Sequence, residues 1–182
     1  MKRAIVTPAS LAPSALAELK EWLGITTAGD DAALGALLRS GLEMCEDFTS
    51  IMPLVQTCEE LLPASTEWQQ LATRPVQSIT ALQGVPADGA RFTLPTANYA
   101  IELDADGGGR ARVMNPGAAG RIAVRFTAGL ASDWTSLPDA LRHGVLRFAA
   151  YQYRMREDDG ASGSPPAAVA ALWRPWRRLR LA

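Results

Sequence analysis

Lysine is almost missing from these 182 residues: Lys2 and Lys20 are the only two among 18 basic side chains, and the other sixteen are arginine. Histidine occurs once, as His143, and cysteine twice, as Cys45 and Cys58. Two cysteines are too few for a disulfide-stapled scaffold and fit a reducing compartment, with one bridge left open. Together with His143 they lack the short spacing of a zinc site. No apolar run approaches the ~20 residues that span a bilayer. Residues 1–10 carry Lys2 and Arg3 without the apolar stretch of a secretory signal, so no leader is expected. A basic excess is missing too: 18 Lys and Arg face 19 Asp and Glu, for a formal charge of -1. That argues against a general nucleic-acid binder. With 48% hydrophobic and 20% charged residues the chain can bury a core, which excludes a disordered polymer, and its length is that of one domain.

Catalytic signatures are equally scarce. No Gly-x-Ser-x-Gly elbow occurs. The glycines 107–109 are not followed by Gly-Lys-Ser/Thr, so they form no phosphate loop. Asp104-Ala105-Asp106-Gly107 opens like a calcium loop, but the twelfth position is Asn115 and not Glu, which leaves a hairpin turn. His143 lies inside a helical stretch, where a packed or surface residue is the ordinary reading and a general base the sharper one. The pairs Asp30-Asp31 and Asp158-Asp159 adjoin turns, where carboxylates stay solvated. No catalytic, cofactor or metal residue is expected.

What is present is helical periodicity at both ends and alternation between. Leu16, Leu19, Trp22 and Leu23 share one side of a helix over 13–23, stopped by Gly24. Leu34, Leu37, Leu38, Cys45 and Phe48 mark a second helix over 30–48, with Asp30 or Asp31 as its cap and Gly35 and Gly41 as points of tolerance or close approach. From 54 the period becomes two. Strands are expected over 54–61, 76–84, 91–94, 99–103, 110–114 and 122–127, the last being the clearest, with 67–71 ambiguous. Helix returns at 137–155, where Ser136 and Asp139 have capping-box spacing and Pro138 suits the first turn. Residues 158–164 are polar and expected to be mobile, and a short helix over 167–173 ends before Pro175. The fold class is therefore α+β: a small helical bundle with an antiparallel β meander inserted at 54–128, a long helix at 136–156, and a link and basic tail at 157–182, within one domain of 1–182.

Charge and aromatics concentrate in the tail. Leu172 to Arg180 holds two indoles, Trp173 and Trp176, and four guanidiniums, Arg174, Arg177, Arg178 and Arg180. Trp and Arg dominate interface hot spots, so the segment reads as a protein-docking element, against a packed helix with an arginine face and against nucleic-acid or membrane contact. From Glu18 to Glu60 there are nine acids against Lys20 and Arg39. An acidic front and a basic end permit head-to-tail association, and a heterologous contact repeated about an axis closes a ring.

The residues also carry a family resemblance. Leu19-Lys20-Glu21-Trp22-Leu23, Asp30-Asp31 with the helix to Phe48, Arg74-Pro75-Val76-Gln77-Ser78-Ile79, Val124 to Gly129, Leu137-Pro138, Tyr153 to Glu157, and Pro165-Pro166 through Leu172 to Arg178 resemble, in order and spacing, head–tail connector proteins. These are adaptors of long-tailed bacteriophages and phage-derived gene transfer agents, and the match is to the phiE125-type connector group. Phe48-Thr49-Ser50-Ile51 departs from the group in lacking a basic residue after the aromatic-Thr pair. The resemblance implies a structural protein without cofactor, made in the bacterial cytoplasm and placed at the head–tail junction. It implies a ring, commonly of twelve copies, beneath the portal and around a DNA channel, with no sequence-specific DNA contact and no membrane. The implied partners are the portal protein and the next head-completion or tail-attachment protein. Carried onto this chain, Trp173, Arg174, Trp176, Arg177, Arg178 and Arg180 dock on the portal, and Leu141, Val145, Phe148 and Tyr151 of the long helix support ring packing. Two other functions compete: a small DNA-binding packaging accessory using the arginine-rich end, and a carboxylate-dependent hydrolase in the β part.

Overall fold

The computed structural model describes residues 3–155 and 164–177. They divide into two compact units. One takes the described residues before Ser10 together with Val55–Gly129, and the other takes Ser10–Leu54 and the described residues from Leu130 onward. The first is built of strands and the second of helices.

The helical unit contains α1 (Pro13–Leu23), α2 (Asp31–Thr49), α3 (Asp139–Arg154) and α4 (Ala167–Trp173). Pro13 opens α1, where its missing N–H costs nothing. Gly24 closes it at φ 71°, with its N–H on the Glu21 carbonyl, a left-handed position that suits glycine. The apolar stripes meet in one core that includes Ala15, Leu19, Leu34, Leu38, Cys45, Leu141, Val145 and Phe148. Gly41 is a close approach: a Cβ there would stand 3.0 Å from Val145 Cγ1, so glycine lets α2 and α3 touch. Gly35 meets only the Arg39 guanidinium, at 3.8 Å, and is simply tolerated. The chain leaves this unit and returns to it side by side, with Leu130 N–H on the Met52 carbonyl and Ala131 N–H on that of Pro53.

The expected caps form differently. Asp30 occupies the N-cap of α2 without a side-chain cap bond, because its carboxylate accepts the Tyr153 hydroxyl at 2.6 Å. Asp31 pairs with Lys20 at 2.6 Å. Ser136 does not cap α3. Its hydroxyl donates to the Asp133 carbonyl, and its N–H donates to Asp133 Oδ1. Three side-chain and backbone donors around the Asp133 carboxylate hold its pKa down to about 2, led by the Thr135 hydroxyl.

The β unit contains β1 (Arg3–Thr7), β2 (Gln56–Pro63), β3 (Gln69–Gln70), β4 (Val76–Pro86), β5 (Phe92–Thr93), β6 (Tyr99–Leu103), β7 (Gly109–Val113) and β8 (Ala119–Ala128). One sheet runs β1-β2-β8-β4-β5 and the other β3-β7-β6, with every pairing antiparallel. β8 is the central strand, which explains why its alternation reads most clearly: Ile122, Val124 and Phe126 are all buried. β1 was not expected, since its five residues carry no legible period. Glu60 on β2 is buried and accepts the N–H groups of Ala72 and Thr73 at 2.9 Å and the Thr73 hydroxyl at 2.6 Å. A buried carboxylate is stable there because donors replace the lost water. The acidic glycine turn is a hairpin: Gly107 has φ 80°, and the N–H of Asp104 meets the Gly108 carbonyl at 2.8 Å.

Candidate functional site

The C-terminal segment begins with Pro166, sits in α4, and continues as a single 3-10 turn over Arg174–Trp176. Its two indoles have opposite fates. Trp173 is completely buried in the helical unit. Its ring lies 6.1 Å from Phe48 and 6.3 Å from Phe148, and its Nε1–H donates to the Leu141 carbonyl at 3.3 Å. Gly144 makes room for it, because a Cβ on Gly144 would collide with Trp173 Nε1. The expected docking role of Trp173 is thus corrected: the indole holds the segment down on its own chain. Periodicity marks an apolar residue but does not say which chain buries it.

Beyond Trp173 the surface changes. Arg174, Pro175 and Arg177 are exposed and Trp176 is half-buried. The Arg177 guanidinium stands 5.5 Å over the Phe48 ring. Neither Arg174 nor Arg177 forms an ion pair among the described residues. Two guanidiniums beside a partly open indole can receive carboxylates and an apolar side chain of another protein. Arg178 and Arg180, expected in the same surface, lie outside the described residues, as does the stretch 156–163 that holds most of the expected mobile link.

The residues expected to pack neighbouring copies along α3 are placed differently as well. Leu141, Val145 and Phe148 are buried in the core of the helical unit, so their side chains are not available to a second copy. Tyr151 is half-buried. Their spacing is that of any amphipathic helix, and the α2 and α4 side chains cover them.

Elsewhere the candidate chemistry resolves into packing. His143 meets Trp22 edge-on at 5.3 Å, with the Arg147 guanidinium 5.9 Å over the same indole. A cleft of about 500 Å³ between α1, α3 and α4 is lined by Glu18, Asp139, Arg142 and His143. Its charges pair with one another: Arg142 lies 2.8 Å from Asp139 and 4.0 Å from Glu18. Cys45 is buried, and burial pushes its thiol up to about 12, far from a reactive thiolate. Cys45 and Cys58 are both buried and are not joined by a disulfide. Asp106 binds Arg74 at 2.9 Å, and Arg110 bonds Glu102 at 2.9 Å with Asp104 3.8 Å away, so the acidic turn is held by cations of its own chain. The Arg110 guanidinium holds the Glu102 carboxyl below its ordinary value. Among the described residues no group of three His, Cys, Asp or Glu is placed to hold a metal ion.

Sequence reasoning missed a second set of surface residues: Ile5 and Val6 on β1, and Ile101 and Leu103 on β6, all exposed. For Ile101 and Leu103 a signal existed, since they alternate with Glu102 ahead of a strong turn. Nothing in the pattern said that no side chain covers them.

No family model and no curated protein sequence matches this chain. Solved structures do match it, over 100% of its length and 98% of theirs. A chain in the neck of an empty gene transfer agent particle, computed with C6 symmetry, shares 29% identity at a TM-score of 0.79. A chain in the virion of the native gene transfer agent particle shares 30% at 0.75. A chain in the neck of the native particle, computed with C12 symmetry, shares 30% at 0.74. Near-complete coverage in both directions means that helical and β units are matched together and in order. The chain belongs to the family of gene transfer agent neck proteins, and its role is structural rather than catalytic.

Proposed function

We propose that the chain is a head–tail connector, of the phiE125 type, that forms a twelve-copy ring in the particle neck beneath the portal. It joins the capsid to the next head-completion or tail-attachment protein, and DNA passes through the ring. The observation that carries this reading is the full-length likeness to a neck chain computed with C12 symmetry, at 30% identity. The tail supports it in a specific way. Trp173 fixes the segment to the helical unit, and the turn after it offers Arg174, Trp176 and Arg177 outward, continued in sequence by Arg178 and Arg180. That basic, aromatic surface is the portal-docking element. Near-neutral net charge suits a channel wall, because each added phosphate contact would bind passing DNA more tightly.

Electron microscopy of purified particles tests the placement, with a ring of this chain at the neck as the expected result. Deleting 174–182 tests the docking element. Because the deletion keeps Trp173, the helical unit stays folded while association with the portal is lost. Undiminished association of that variant would sink the docking assignment. Salt-sensitive duplex binding lost on the same deletion would favour the DNA-binding alternative.

A further inference from the structure

The helical unit turns two unlike helix backs to solvent. α2 and α3 touch where Gly41 meets Val145. At roughly 3.6 residues per turn, Ala36, Glu43 and Asp47 lie on the far side of α2 from Gly41. By the same count His143, Arg147, Tyr151 and Arg154 lie on the far side of α3 from Val145. The two backs therefore point away from the helix contact in opposite directions.

The back of α3 carries cations that their own chain leaves unpaired. Arg147 lies 5.9 Å over the Trp22 ring, Arg154 is exposed, and neither forms an ion pair among the described residues. The acids nearest in the fold do not serve them. Glu18 and Asp139 both face Arg142, and Glu21 forms no ion pair among the described residues. Beside these guanidiniums stand Trp22, 43% exposed, and Tyr151, half-buried. Of the four α3 residues expected at a contact between copies, Tyr151 is the one whose side chain is not in the core. Trp, Tyr and Arg are the residue types most enriched at the centres of protein interfaces.

The back of α2 is the complement. Ala32, Ala36 and Ser40 are small and exposed, so aromatic rings of another chain can lie close to the helix. Glu43 and Asp47 follow on the same face, exposed and without an ion pair among the described residues. Arg39, the only basic residue of α2, does not neutralise them: its guanidinium stands 3.8 Å from the place of a Gly35 Cβ. A ring needs two unlike patches on each copy, one forward and one back. We propose that the Trp22 and Tyr151 face of one copy packs on the back of α2 in the next copy, with Arg147 and Arg154 meeting Glu43 and Asp47. The aromatic rings supply buried area, and the charges set direction. Two like faces would set cation against cation or acid against acid, which disfavours a two-fold pair. This rests on the ring reading above and names the contact that closes the ring.

Charge exchange tests it, read as copies of this chain per purified particle by quantitative mass spectrometry. Arg147→Glu with Arg154→Glu, and separately Glu43→Arg with Asp47→Arg, should each lower the copy number at least tenfold, with circular dichroism unchanged. All four substitutions together should restore it to within twofold of the unsubstituted chain. Normal incorporation of either pair, or no recovery in the fourfold variant, overturns the contact. A second measurement keeps every charge: Tyr151 is replaced by p-benzoylphenylalanine and irradiated in assembled particles. The expected product is a ladder of covalent multimers of this chain, linked from residue 151 to a peptide within 31–49. Dimers alone, a link to another protein, a link only within one copy, or no link in particles that contain the chain overturns the proposal. Absence of the unsubstituted chain from the particles overturns the ring reading itself, and this contact with it.

Discussion

The two units dispose of their large apolar side chains in opposite ways. The helical unit encloses Trp134, Trp173 and Phe148 completely or nearly so, and leaves Trp22 as its exposed exception. The β unit encloses Phe126 and the aliphatic face of β8, yet leaves apolar residues open on β1 and β6, two of the four strands that end its sheets. The contrast separates side chains that hold the protein together from those that its own fold leaves uncovered. It also runs through the tail, where Trp173 serves the first purpose and Trp176, three residues later, stands at the surface.

Four substitutions or titrations would break or sharpen that contrast. The largest effect is expected from Trp173→Ala, which empties a site between Phe48, Phe148 and Gly144 and should cost about 3–5 kcal/mol, as large aromatic truncations in cores do. Denaturant midpoints measure it, and a change as small as that of Trp176→Ala would erase the distinction between the two indoles. Next is Glu60→Ala. It strands the N–H groups of Ala72 and Thr73 and the Thr73 hydroxyl inside the β unit, for a loss of about 3 kcal/mol. Equilibrium unfolding reads this, and a neutral result would mean that other groups satisfy those donors.

A far smaller effect on stability is expected from Ile101→Ser with Leu103→Ser. Exposed positions away from structural features shift stability by no more than about 0.5 kcal/mol. A thermal melt of the isolated chain should barely move, and a large drop would show that these residues serve their own fold. The smallest effect concerns Asp133. Its carboxyl is held down to about 2 by the Thr135 hydroxyl, the Ser136 N–H and the Ser132 hydroxyl. A depressed folded-state pKa contributes stability above the unfolded value near ~3.9, and that contribution is lost as pH falls toward the folded one. Melting temperatures taken from pH 5 down to pH 2 should therefore fall slightly less for Asp133→Asn than for the unsubstituted chain, and equal slopes would refute it.

Much of the architecture was legible because local patterns and tertiary environment agree. The α1 span over Pro13–Leu23 and the β6 span over Tyr99–Leu103 follow from periodicity and their flanking turns. Where two local solutions were close in energy, pattern misled. Ser136 and Asp139 have the spacing of a cap, but Asp133 offers the Ser136 N–H a nearer carboxylate, and the turn wins. Asp30 likewise had a distant competitor, the Tyr153 hydroxyl, that no window of sequence contains. The proposed docking surface was half legible: the composition of the tail pointed to it, but which of its two indoles is buried could not be read from the sequence.

Linear order determined the two helical ends, the antiparallel insert, the arginine-rich close and the scarcity of reactive groups, because periodicity, turn chemistry and residue type are local properties. Tertiary structure alone decided that Trp173 faces inward, that Leu141, Val145 and Phe148 belong to the chain's own core, and that β1 and β6 end their sheets with apolar edges uncovered. Burial and edge exposure depend on which distant segment lies alongside, and an apolar residue looks the same in sequence whichever neighbour covers it.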